Sequence, residues 1–172
     1  MSATLFYEDA IDLLDADHKL VQKLFLEFQA LSDDGGAPEK KGQLAMKICQ
    51  DLTVHTQLEE EIFYPQVRAA IDDDALMDEA LQEHAEAKQQ IARIQGMAPS
   101  EDDYDLAVTQ LFTTVMDHVM DEREQVFLKA RYSDADLRGM VTELYARKKE
   151  LQKQQQANAP AASPAGKEKV SS

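Results

Sequence analysis

Four histidines occur in this chain, His18, His55, His84 and His118, and two of them are followed four residues later by glutamate, Glu59 and Glu122. In a helix, positions i and i+4 share a face, so each pair presents an imidazole and a carboxylate to the same object. Glutamate supplies 15 of the 172 residues, so chance would place one at that spacing after about one histidine in eleven. Two in four marks a pattern. Either pair alone also reads as an exposed helix-stabilising contact, and any single inward histidine as a hydrogen-bonded core residue. Four inward imidazoles together do not, because unpartnered they would cost roughly 1–3 kcal/mol each.

Six donors, His18, His55, Glu59, His84, His118 and Glu122, suit metal better than acid–base chemistry alone. Imidazole binds iron, zinc, copper or nickel, and carboxylates can bridge two ions. A single zinc takes four ligands in all, and the lack of a thiolate cluster disfavours a soft metal. The expectation is a dinuclear iron centre with two imidazoles per ion, the ions about 3.5 Å apart and both glutamates bridging. Manganese or mixed occupancy ranks second.

The elements that must position these donors read as helices. Ile11, Leu14, His18, Val21 and Phe25 form one stripe, and Leu44, Ile48, Leu52, His55, Glu59 and Ile62 a second. Leu81, His84, Ile91 and Ile94 form a third, and Leu111, Val115, His118, Glu122 and Val126 a fourth. Steps of three, four and seven predict a buried helical face in each. The breaks fall at Ser32–Pro38, Ile71–Asp74, Gly96–Ser100 and Tyr132–Asp134, and no strand pattern is sustained. The fold class expected is all-α, an antiparallel up-down-up-down four-helix bundle. Pro65 should bend the second helix after Tyr64. A short fifth helix is expected from about Asp134 to Gln152, capped by Asp134 or Ser133. That makes residues 1–152 one domain, and the Gln-, Ala-, Pro- and Ser-rich residues 153–172 a disordered tail.

Composition narrows the function. The formal net charge is −15, which argues against nucleic acid and against anionic membranes as partners. One cysteine, Cys49, leaves no intramolecular disulfide and no cysteine-rich cluster. No apolar run approaches the roughly 20 residues of a membrane span, and no leader pattern opens the chain. A cytoplasmic acidic protein is the expectation.

The order His18, then His55-x-x-x-Glu59 running on to Phe63-Tyr64-Pro65, then Glu83-His84, then His118-x-x-x-Glu122 resembles the hemerythrin/HHE cation-binding family, as does Asp17-His18. The resemblance covers roughly Leu5 to Arg131. It implies a four-helix bundle around an oxo- or hydroxo-bridged pair of non-haem irons that binds dioxygen or a related small molecule such as peroxide or nitric oxide. Carried over by position, His18 and His55 would hold one iron, His84 and His118 the other, and Glu59 and Glu122 would bridge. The respiratory pattern has another histidine where Lys88 stands, and an aspartate where Arg123 stands. The site thus has four imidazoles rather than five, with a coordination position left open. Tyr7, Tyr64 and Tyr104 are candidates to fill it, and spacing selects none of them. Alternatives to binding or sensing are an enzyme acting on peroxide or nitric oxide, and an iron-handling protein.

Other features read blandly. Glu60 and Glu61 are rotated off the His55 face and should be solvated. Asp72–Asp74 and Glu101–Asp103 should favour helix N-termini, and Cys49 should be packed. Lys88 should carry its charge to solvent, or else donate a hydrogen bond near the metal ligands. The metal-bound histidines would need hydrogen-bond acceptors, for which Asp51, Asp117 and backbone carbonyls are candidates.

Overall fold

In the computed structural model of the chain, which describes residues 6–159, the regular elements are all helical: α1 Ala10–Asp33, α2 Pro38–Leu58, α3 Tyr64–Ile71, α4 Asp74–Gln95, α5 Tyr104–Asp121, α6 Leu128–Arg131 and α7 Leu137–Asn158. Two π turns, Glu59–Phe63 and Glu122–Phe127, join α2 to α3 and α5 to α6. Backbone angles stay right-handed through both joints, so each trio forms one continuous rod. Pro65 follows the first π turn, in the opening turn of α3, where its missing N–H matters least.

Aspartates start three of the helices. Side-chain oxygens of Asp9, Asp73 and Asp136 accept from the backbone N–H of Asp12 (2.9 Å), Leu76 (3.2 Å) and Gly139 (3.0 Å), satisfying donors that a helix end leaves open. The cap of α7 is therefore Asp136, not the expected Asp134 or Ser133. Ser133 is engaged at the end of α6, donating to the Ala130 carbonyl at 2.7 Å. Asp103 begins α5 without a side-chain cap. Asp72 takes the left-handed conformation after α3 (φ 51°), which an aspartate tolerates better than most residues.

α1 packs on α2 and α5, and α4 packs on α5 and α2, so the four long elements close a ring. Two apolar clusters fill it. One gathers Leu13, Leu14, Leu58, Phe63, Met77 and Phe127; the other gathers Val21, Phe25, Ile48, Leu52, Ile91 and Leu111. Along α1 the order is Leu14, His18, Val21, and along α2 it is Leu52, His55, Leu58. The histidines thus fall where one cluster gives way to the other, a polar slab between two apolar plugs. Leu81, expected on the inward stripe, is instead exposed; Met77, Ala80 and Ala87 take the inward places on α4.

α7 is a larger element than the expected short fifth helix. It runs to Asn158, six residues past the expected boundary at 152, and lies on α1, α2 and the first π turn. Met140, Val141, Leu144 and Leu151 bury against the rods, and the Gln155 amide donates to the Gln50 carbonyl at 3.0 Å. The glutamine run there is a good helix former once docked, so the tail expected from residue 153 begins instead as helix. The rest of that expectation, residues 160–172, lies outside the described residues.

Candidate metal centre

The six donors predicted from sequence all come together, and all are buried. α1 delivers His18, α2 delivers His55, α4 delivers His84 and α5 delivers His118. Glu59 and Glu122 open the two π turns. His55 Nε2 lies 2.5 Å from Glu59 Oε1 and His18 Nε2 lies 3.2 Å from Glu122 Oε2. His84 Nε2 and His118 Nε2 are 3.1 Å apart, at 3.8 Å from Glu59 Oε1 and 3.6 Å from Glu122 Oε2 respectively. Two groups emerge, each with its donor atoms within 4.8 Å of one another: His18, His55, Glu59 and Glu122, and Glu59, His84 and His118.

Behind each imidazole stands a carboxylate. Nδ1 of His18 faces Asp15 at 3.3 Å, that of His55 faces Asp17 at 3.2 Å, that of His84 faces Glu60 at 3.0 Å, and that of His118 contacts Glu83. An ionised carboxylate only accepts, so each neutral imidazole keeps its proton on Nδ1 and turns the Nε2 lone pair inward. Cations steady three of these carboxylates. Arg123 Nε donates to Asp15 at 2.6 Å, Lys88 Nζ to both oxygens of Glu60 at 2.7 Å, and Lys148 Nζ to Asp17. The His18 hydrogen bond and Arg123 together hold Asp15 well below the usual carboxylate range, against its partial burial. Burial pushes Asp17 up, but His55 and Lys148 outweigh it and the net shift is downward.

The interior of the site is unsatisfied. His18 Nε2, His55 Nε2, both Glu59 oxygens and Glu122 Oε2 are buried without a hydrogen-bond partner. Several sit at ion-pair distance from one another, yet none is aligned for a hydrogen bond. Native proteins leave few such atoms, and an inserted cation is the ligand that answers five convergent lone-pair donors at once. Without one, the charges distort each other. Burial opposes a charged His55, but the Glu59 carboxylate and Asp17 prevail and raise its pKa well above normal. Burial likewise opposes the charged forms of His18 and His118, and their carboxylate neighbours raise both. Glu59 is held low by His55 despite its burial, while burial and the Glu59 charge push Glu122 up.

Spacing had left Tyr64 undistinguished from Tyr7 and Tyr104; geometry distinguishes it. The Tyr64 hydroxyl donates to Glu122 Oε1 at 3.2 Å and lies 3.2 Å from His84 Nε2, with its ring stacked on His84 at 5.2 Å. Tyr7 packs against the first apolar cluster, and Tyr104 belongs to the second. The π turn is the reason. Residues five apart stand about 140° apart around an α-helix, whereas i→i+5 bonding brings Glu59 and Tyr64 toward one face. The second rod repeats the device. Phe127 occupies the position after Glu122 that Tyr64 occupies after Glu59, and it stacks on His18 at 5.8 Å. The ring pairs match as well: His18–His55 centroids are 4.6 Å apart and His84–His118 centroids 4.7 Å, both at 65°.

Glu60 is half-buried on His84 rather than solvated, whereas Glu61 is exposed as expected and pairs with Arg147 at 2.8 Å. Lys88 reaches Glu60 rather than a metal ligand directly. Asp51 pairs with Lys47 (2.6 Å) instead of serving a histidine. Asp15, three residues before His18, was the one acceptor with a local signal. Glu60 and Glu83 serve histidines on neighbouring helices, which spacing cannot reveal. Beside the slab, toward the second apolar cluster, is a cavity of about 20 Å³ lined by the four histidines together with Val21 and Val115 among its apolar residues. That is room for a ligand of one or two heavy atoms.

The sequence profile described as the hemerythrin HHE cation binding domain matches residues 9–130. A protein of Nostoc sp. named DNA nickase is 33% identical over 143 residues, which take in 82% of this chain and 39% of that protein. The chain therefore spans about two-fifths of that relative's length. A crystal structure of a hemerythrin HHE cation binding domain-containing protein from Mycobacterium kansasii aligns with a TM-score of 0.72 at 19% identity. The alignment covers 87% of this chain and 90% of that one, a likeness of fold.

Proposed function

This chain belongs to the hemerythrin HHE cation-binding family, and on that footing we propose that it is a non-haem di-iron protein that binds or senses dioxygen or a related small molecule. The ring of α1, α2, α4 and α5 is read as an antiparallel up-down-up-down bundle. His18 and His55 would hold one iron and His84 and His118 the other, with Glu59 and Glu122 shared between them. The observation that carries the reading is the set of five buried donor atoms without hydrogen-bond partners, aimed at a common space. In its ferrous state such a pair would supply electrons to an oxidant held beside it.

The chain's own residues do the rest. Asp15, Asp17, Glu60 and Glu83 keep protons on the outer nitrogens and fix each ring. Val21, Leu52, Ala87 and Val115 keep the cavity apolar, and its size admits ligands of one or two heavy atoms while excluding larger organic substrates. Lys88, bound to Glu60, supplies no fifth inward imidazole, so even with Tyr64 added the His84–His118 side offers at most five protein donors, and a coordination position stays free for exchange. That observation favours a second reading, turnover of peroxide or nitric oxide. Anaerobic ferrous reconstitution followed by mixing with oxygen separates the two. A long-lived visible spectrum with about two irons per chain supports binding, oxygen evolution from added peroxide supports turnover, and fewer than about two irons refutes the dinuclear centre.

Tyr64 is assigned as a further oxygen donor on the His84 side. Burial and the Glu122 and Glu59 charges push its pKa well above 10, so only a bound cation would draw the phenol toward phenolate. Ferric-loaded protein is expected to show a visible phenolate-to-iron absorption. Tyr64→Phe should lose that band while keeping its iron; an unchanged band removes Tyr64 from the ligand set.

The reading gives this chain no nucleic-acid substrate and a reducing, cytoplasmic setting. Among the described residues no helix is long and apolar enough to cross a membrane. The name of the Nostoc relative makes supercoiled plasmid the discriminating substrate. With catalase present to suppress iron-driven radical cleavage, plasmid incubated with the metal-loaded chain should remain supercoiled. Nicking that disappears in His55→Ala would overturn this part of the reading.

A further inference from the structure

The family match ends at residue 130, yet the next helix reaches the centre. From α7, two consecutive basic side chains grip the bundle. Arg147 makes a two-pronged contact with Glu61, at 2.8 and 3.1 Å, and Lys148 Nζ donates to Asp17 Oδ1. Asp17 has its other oxygen on His55 Nδ1 at 3.2 Å. The line Lys148–Asp17–His55 therefore runs from a helix outside the ring to one inward imidazole. The other three rings differ. The carboxylates of His18 and His84 are steadied by Arg123 and Lys88, which lie within residues 9–130, and Glu83 has no cation partner among the described residues. Beside Asp17 is a cavity of about 50 Å³ where Lys47, Asp51, Lys148 and Gln152 meet Leu20, Val21 and Val54. Asp51 Oδ2 is buried there without a partner. The flank of His55 is thus hydratable, and Lys148 is what stands between that cavity and a relaxed Asp17.

We propose that Lys148 is a positioning residue for the metal centre and that α7 is a strap whose docking fixes the His55 corner. Resting on the metal-centre reading above, the proposal gives a helix beyond the matched domain control over metal retention. Asp17 is nearly enclosed, so its carboxylate needs a cation to remain oriented there. With Lys148 gone, Asp17 would turn toward water beside Asp51 in that cavity, and His55 would lose its fixed orientation.

The test loads the full chain with cobalt(II) and follows metal loss to EDTA together with the visible ligand-field spectrum. Lys148→Met is expected to lose one of its metals about tenfold faster, the low end of the range for a ligand's outer partner because Lys148 acts one step further out, through Asp17, and to show an altered spectrum. Lys148→Arg should restore both, whereas Arg147→Met, which removes the Glu61 contact while Met140, Val141, Leu144 and Leu151 keep α7 docked, should behave as wild type. Identical release and spectra in Lys148→Met would overturn the proposal. So would an equal effect from Arg147→Met, which would make α7 mere packing. If Lys148→Met fails to fold by circular dichroism, Lys148→Gln carries the same comparison. A wild-type chain that takes up no cobalt fails the metal-centre reading itself, a result separate from all of these.

Discussion

A Glu59→Gln chain reconstituted anaerobically with ferrous iron is expected to retain less than about one metal, against about two in the wild type. Glu59 is fully buried and both of its oxygens lack hydrogen-bond partners. With Glu122 it is assigned as a bridge, but its oxygens serve both donor groups in the geometry, with His18 and His55 and again with His84 and His118. The amide keeps volume and shape while removing the charge, so folding of the apo-protein should persist. Metal that binds only the folded state stabilises it by about 4 kcal/mol at a thousandfold excess over its dissociation constant. For a domain of this size that is a rise of roughly 8–16 °C in Tm. The rise should be present in wild type and largely absent in Glu59→Gln. Thermal melts with and without iron, combined with metal analysis, check it; full loading of the variant would remove Glu59 from the centre.

Stability of the apo-protein and affinity for metal should respond to pH in opposite directions. His18, His55 and His118 have raised pKa values in the fold. Their stabilisation is therefore complete below the unfolded imidazole value of about 6.5 and is lost as pH rises through the folded values. Glu59 is depressed, so its contribution is present above an unfolded value of about 4.5 and is lost on acidification through its folded value. Glu122 is raised, and the cost of ionising it grows as pH rises, adding to the alkaline loss. Apo stability should peak between about pH 4.5 and 6.5 and fall toward pH 8.5. Metal requires neutral imidazoles and ionised carboxylates, so the metal-induced rise in Tm should instead grow over that interval. General self-repulsion from a charge of −15 would also lower alkaline stability, but Glu59→Gln tells the two apart. It removes the charge that holds the proton on His55, so the apo slope should flatten. A wild-type apo Tm that is level or rising from pH 6 to pH 8.5 would contradict the assignment.

The helical class and the convergence of the six donors were legible in the sequence because each rests on a local period. His55 and Glu59, or His118 and Glu122, need only one turn of α-helix to share a face, and Leu14, His18 and Val21 announce a polar layer between apolar ones. What escaped was set by departures from that period or by contacts between helices. Tyr64 could not be chosen because an α-helical phase points it away from Glu59, and only the π turn brings it round. Glu60 was assigned to solvent for the same reason, and its partner His84 arrives from another rod. Glu83 is adjacent to His84 in the chain yet serves His118. The length of α7 was misjudged because its last turns are polar: Lys153 to Gln156 carry no apolar stripe, and their order comes from Leu151 and from the contact of Gln155 with Gln50.

The twin placement of Tyr64 and Phe127 has an electronic corollary. Two halves that match in their ring pairs and π turns differ in one phenolic oxygen and in the reach of Glu122, so ions seated in them would experience unlike ligand fields. A pair holding one ferrous and one ferric ion would then have a fixed polarity. The higher valence would settle on the side facing Tyr64, and the redox-exchangeable electron would sit beneath Phe127.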